Sequence, residues 1–169
     1  MAVGWIVFHS GLLMALTLAS PASAANYGQH FGVCHVVTAA GPAPVPMIAD
    51  RSIRDVSLAT IRRGVPVIDF NPDVAERMTP ATRLFFHAHE CAHHALGHTL
   101  GAGRPDRVEQ EADCWAIRGL VGLGLVGPRD VALVQVDLLR FAPPDATHVP
   151  GAVRAVNLLR CLDPGDGDQ

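Results

Sequence analysis

The sequence predicts an α+β domain that is mostly helical, with a small sheet and a pair of helices that carry the chemistry. Three observations lead there. A helix start signal at Thr79-Pro80 is followed by a long run without a breaker, ATRLFFHAHECAHHALGH. Three further segments with helical apolar spacing follow, each closed by Gly or Pro: residues 106–126, 128–142 and 151–162. The one strongly β-branched run, VPVIDFNP at 65–72, lies between Gly64 and Asn71-Pro72 and reads as a strand.

The other elements are weaker. Residues 26–50 read as irregular or weakly stranded, with a Pro-rich connector, GPAPVPM. In IRDVSLATIRR, apolar residues at 53, 56, 58 and 61 predict a short helix ending at Gly64. The polar tail, 164–169, is expected to be disordered. With 169 residues, one domain over 26–163 is the expectation.

Residues 1–25 differ in kind. A short apolar run, WIVFHSGLLMALTLA, precedes SPASAA, which offers the small-x-small pattern Ala22-Ser23-Ala24. A secretory signal peptide cleaved near Ala24 or Ala25 is expected, although the n-region has no Lys or Arg. The mature chain would then be periplasmic or secreted, without stable membrane insertion. A net charge of −3, with all 13 basic residues arginine and scattered, gives no surface for nucleic acid. In an oxidising compartment the four cysteines, Cys34, Cys91, Cys114 and Cys161, suggest up to two disulfides.

The densest chemistry is HAHECAHHALGH, residues 87–98, which holds five of the nine histidines. Within it His89-Glu90-Cys91-Ala92-His93 is an H-E-x-x-H. On a helix, positions four apart lie about 40° apart, so His89 and His93 can offer their imidazoles to one metal. Glu90 stands about 100° round from His89, where a carboxylate can take the proton of an attacking water and return it to a leaving amine. His87 and His98 point away from that face and are expected to be structural or exposed.

A catalytic zinc needs a third protein ligand and an open position. The metzincin spacing fails, because Leu96 and Thr99 stand where Gly and His are required. The segment VEQEAD supplies a carboxylate instead. Glu109 is favoured as ligand over its rival Glu111, because Asp113, four residues on, then shares the metal side and can bond the distal nitrogen of a ligand histidine.

These residues resemble the gluzincin metallopeptidases, which follow H-E-x-x-H with E-x-x-x-D. The nearest likeness is to the HtpX-like, CAAX-prenyl-protease-related family, whose members often read H-E-x-x-H-x-x-x-x-H and then E-x-x-A-D, as His89–His98 and Glu109–Asp113 do. ImmA/IrrE-type metallopeptidases are similar, usually with Asn at the last position. The resemblance spans roughly residues 65–125. It departs from the HtpX-like pattern in its short link between motifs and its lack of multiple membrane helices. It implies a minimal zincin-like domain, one Zn2+, and hydrolysis of a polypeptide substrate.

Other residues were open to roles in such a site. His94 is a candidate for lining the cleft or binding an oxyanion, as are His30, His35, His148, Arg104 and Arg107 for the oxyanion, since the sole tyrosine is Tyr27. Cys91 and Cys114 are paired first, stapling the two metal-bearing helices, with Cys34–Cys161 closing the ends. VPVIDFNP is a candidate edge strand on which an extended substrate adds, or else an ordinary core strand. A zinc- and peptide-binding module that has lost turnover is the alternative function, and a merely His-rich structural helix is the third reading.

Overall fold

The computed structural model describes residues 34–38, 41–101, 105–140 and 149–163. The expected leader, its cleavage point and the tail at 164–169 lie outside them. The fold is α+β and mostly helical, as expected.

Two small sheets come first. Strands β1 (His35–Thr38) and β2 (Gly41–Pro44) form an antiparallel pair. Strands β3 (Met47–Ala49), β4 (Ser57–Arg62) and β5 (Val65–Phe70) form a sheet of order β3-β5-β4, with β3 parallel and β4 antiparallel to β5.

One expectation is corrected here, and one open alternative is decided. Residues 57–62 are a strand, not the end of a helix. The reason is the two-residue turn Arg63-Gly64, where both residues have positive φ (53° and 82°), the twist that closes a tight hairpin. A Gly that reads as a helix stop is in fact the second turn residue. VPVIDF is the central strand, so it is not the edge, and β4 is. Pro66 is tolerated in that centre by register. Ile68 N–H bonds Pro46 across to β3 and Phe70 accepts from Asp50, so Pro66 faces the same way. However, β3 begins opposite Ile68, so no ladder bond is lost at Pro66.

Among the described residues five helices follow: α1 (Pro72–Ala75), α2 (Pro80–Ala95), α3 (Pro105–Gly122), α4 (Pro128–Leu138) and α5 (Gly151–Leu162). Thr79 caps α2 through its side chain to Thr82 N–H, with Pro80 in the first turn. Buried Asp137 of α4 reinforces that end, accepting from Thr79 N–H at 2.9 Å and from the Thr82 hydroxyl at 2.8 Å. Helix α2 ends earlier than expected, at Ala95. Gly97 then turns left-handed (φ 76°) and a single 3₁₀ turn, His98–Leu100, reverses the chain.

The main core lies among the four long helices. Phe85, Ile117, Val134, Leu138 and Leu158, from α2, α3, α4 and α5, are wholly buried. Each contributes roughly 1.5–3 kcal/mol of transfer free energy. A smaller cluster, Cys34, Val36, Val45, Ile68 and Cys91, seats the β1–β2 pair and the sheet against α2.

The disulfides are Cys34–Cys91 and Cys114–Cys161, with Cα separations of 5.7 and 4.9 Å. The expected Cys91–Cys114 and Cys34–Cys161 pairs are therefore wrong. Both Cys91 and Cys114 leave their helices on faces turned away from the shared ligand side, so each meets a different neighbour. Cys91 ties α2 to the start of β1, and Cys114 ties α3 to α5. No helix among the described residues is long and apolar enough to cross a membrane.

Candidate metal centre

Helices α2 and α3 bring together His89, His93 and Glu109, whose ligating atoms all lie within 4.8 Å of one another. His89 Nε2 is 3.0 Å from His93 Nε2. Glu109 stands 3.2 Å from His93 Nε2 through Oε1 and 3.5 Å from His89 Nε2 through Oε2. Donors held at metal–ligand distance around a tetrahedral ion stand about 3.4 Å apart, so the three sit near the spacing a single ion requires. Glu109 Oε2 is buried and accepts no hydrogen bond among the described residues; Arg154 Nη1 stands 3.9 Å from it, an ion pair without a hydrogen bond, which leaves the oxygen able to ligate a metal. The group can hold a metal ion.

His89 is the better buried ligand, only 2% exposed. Its Nδ1 lies 2.8 Å from Asp113 Oδ1, the partner expected four residues after Glu109. Asp113 in turn receives a two-pronged contact from Arg154 of α5: Nη2 to Oδ1 at 2.6 Å and Nε to Oδ2 at 2.9 Å. The Arg154 guanidinium also packs over Phe86, 5.4 Å from the ring centre. Burial works against charge on all these groups. For His89, burial and Arg154 lower the pKa, but the bond to Asp113 and the nearby Glu109 carboxylate outweigh them and raise it to about 9. Burial pushes the Glu109 and Asp113 carboxyls up. For Glu109 the two histidines, and for Asp113 chiefly Arg154 and His89, bring the carboxyl below the ordinary range.

Arg154 had no motif to reveal it, yet a signal was present. In GAVRAVNLLRCL it occupies the apolar stripe with Gly151, Ala155, Leu158 and Cys161, all buried. A charged residue at a core position must find a buried partner.

Glu90, also buried, turns its carboxylate to the edge strand. Oε2 accepts from Ala59 N–H of β4 at 2.7 Å and Oε1 from the Ser57 hydroxyl at 3.3 Å. The helix-like apolar spacing at 53–63 conceals this contact in the sequence.

The remaining candidates separate cleanly. Buried His94 uses both ring nitrogens on the scaffold, Nε2 on the Val67 carbonyl (2.9 Å) and Nδ1 on the Thr99 hydroxyl (3.3 Å), so it does not line a cleft. Glu111, the rival ligand, reaches His98 and Arg107 instead. His98 stays outside the ligand group as expected, but its direction is corrected: with α2 ended at Ala95, its Nδ1 comes to 3.1 Å from His93 Nδ1 instead of pointing away. Burial and the nearby His93 hold the His98 imidazole below its ordinary pKa. His87 is lowered to about 4 by burial. His35 is exposed on β1. His30, Tyr27, Arg104 and His148 lie outside the described residues.

No family model, no curated protein and no solved structure matches this chain.

Proposed function

We propose that this chain is an exported zinc metalloendopeptidase of gluzincin type, with His89, His93 and Glu109 as ligands of one Zn2+. The observation that carries this reading is the meeting of H-E-x-x-H on α2 with Glu109 and Asp113 on α3, two imidazoles and one carboxylate around a single point. Three protein ligands leave a tetrahedral ion one open position, the pattern of catalytic rather than structural zinc. When bound, the ion supplies Lewis acidity, which acidifies water and polarises a carbonyl.

The chain's own groups would do the rest. Glu90 takes the proton of the attacking water and delivers it to the departing amine. Asp113, held by the Arg154 fork, accepts a hydrogen bond from His89 Nδ1–H and so keeps the Nε2 lone pair towards the ligand point. An extended polypeptide would add to the outer edge of β4, taking over Ala59 N–H from Glu90 and using main-chain hydrogen bonds that do not read sequence. The two disulfides support an oxidising destination and hence export.

The test is Glu90→Gln in the full chain. Zinc content should stay at one per chain while cleavage of unfolded casein falls by at least a hundredfold. Undiminished cleavage would refute the role of Glu90, and an absence of zinc in the parent would refute the ligand set.

One observation favours a second reading, a silent zinc- and peptide-binding module. Both Glu90 oxygens are engaged by β4, so the base is tethered to the scaffold. That reading predicts bound zinc and peptide affinity without hydrolysis in either parent or variant.

A further inference from the structure

His93 has a second nitrogen, and what it meets is chemically specific. Its Nδ1 lies 3.1 Å from His98 Nδ1, while His98 Nε2 lies 3.2 Å from Glu111 Oε2. The opposite oxygen, Glu111 Oε1, accepts from Arg107 Nε at 2.8 Å.

The direction of this chain of bonds follows from its far end. An ionised carboxylate can only accept, so His98 Nε2 carries the hydrogen. A neutral imidazole with hydrogen on Nε2 has its lone pair on Nδ1, which must then accept from His93 Nδ1–H. His93 is left with its lone pair on Nε2, the atom facing His89 and Glu109. Glu111 thus fixes the tautomer of a residue it never touches.

The fold builds this arrangement by a local reversal. After α2 stops at Ala95, left-handed Gly97 folds the 3₁₀ turn back so that the His98 ring sits edge-on to His93, centroids 5.1 Å apart. A helix continued through His98 would have pointed that ring elsewhere.

We propose that His98 and Glu111 are positioning residues for His93, holding its Nε2 lone pair on the metal and thereby setting the affinity of the site for zinc. The proposal rests on the reading of His89, His93 and Glu109 as a zinc site. Neither residue touches the ion. Outer partners of ligand histidines typically change metal affinity about 10- to 100-fold.

The experiment measures zinc affinity of the full chain by competition with a chromophoric chelator, at one pH, for the parent, His98→Ala, His98→Asn and Glu111→Ala. His98→Ala should bind zinc about 10- to 100-fold more weakly. His98→Asn should recover most of that loss, because its amide oxygen stands where His98 Nδ1 stands and can accept from His93 Nδ1–H. Equal affinity of the parent and His98→Ala overturns the proposal. So does a loss that Asn leaves unrepaired, which would mean that the ring acts by packing. Thermal unfolding in chelator shows whether His98→Ala is folded. If it is not, Glu111→Ala decides: several-fold weaker zinc binding supports the relay, and unchanged binding overturns it. A parent that binds no zinc sinks the site reading and this proposal together, whereas zinc binding in the parent with indifferent variants sinks only the relay.

Discussion

The two ligand histidines sit one helical turn apart, yet they are supported in opposite ways. His89 leans on Asp113 and Arg154, a pair contributed by two other helices and sealed from water, with side-chain exposures of 2% and 8%. His93 leans on His98 and Glu111, a line that runs outward to a carboxylate 42% exposed and an arginine 78% exposed. Inside a low dielectric, charge must be neutralised in place, and the Arg154 fork does that for Asp113. Near the surface water screens the charges, so the His93 side can be held by hydrogen-bond direction alone. The inner support ties the site to the core, and the outer support tunes it.

The strongest way to break that contrast is Arg154→Met. It strands Asp113 and Glu109 in the interior without their cation, so the chelator-treated protein should lose about 3–5 kcal/mol by denaturant unfolding. Arg154→Lys, which keeps charge but loses the fork, should recover part of it. An unchanged midpoint for Arg154→Met would show that the inner support is not structural.

A pH test sharpens the comparison. Without metal, His89 titrates near 9 rather than near its ordinary 6.5, so charging it favours the folded state. That contribution is complete below pH 6.5 and disappears as pH rises through 9, and the melting temperature of metal-free protein should fall across that window. Metal needs the same lone pair. Loading at pH 7.5 should therefore expel a proton, and affinity should rise with pH up to about 9. Calorimetry in buffers of different ionisation enthalpy reads the proton directly, and a heat independent of buffer would contradict the assignment.

The smallest effect is expected from Arg107→Ala, which removes only an exposed ion pair with Glu111. Its unfolding midpoint should match that of the parent. A clear destabilisation would erase the distinction between the two flanks.

How much of this could be read in advance follows from where each contact lies in the chain. His89, His93, Glu109 and Asp113 were legible because ligand spacing within one helix is a local property, and local geometry is written in sequence separation. The strand at 57–62 was not, because Arg63 adopts a positive φ that residue types other than Gly rarely take, and Gly64 serves equally well to end a helix. The cysteine pairing failed for another reason. Facing directions on α2 and α3 excluded Cys91–Cys114 only once the positions of β1 and α5 were known. The direction of His98 was hidden for one reason, that α2 stops at Ala95 instead of continuing. Arg154 lies between the two cases: its core position was visible in the stripe of α5, but its partner lay 41 residues away.

The disulfide pattern bears on how such a chain is made. The closed loops, 34 to 91 and 114 to 161, do not overlap, so each can oxidise within its own half in the order of synthesis. His89 lies inside the first loop and Arg154 inside the second, while His93, Glu109 and Asp113 lie between Cys91 and Cys114, where neither loop encloses them. The metal point is thus built largely on the stretch that links two separately locked loops, and each of its two helices is anchored by a disulfide of its own, α2 by Cys91 and α3 by Cys114.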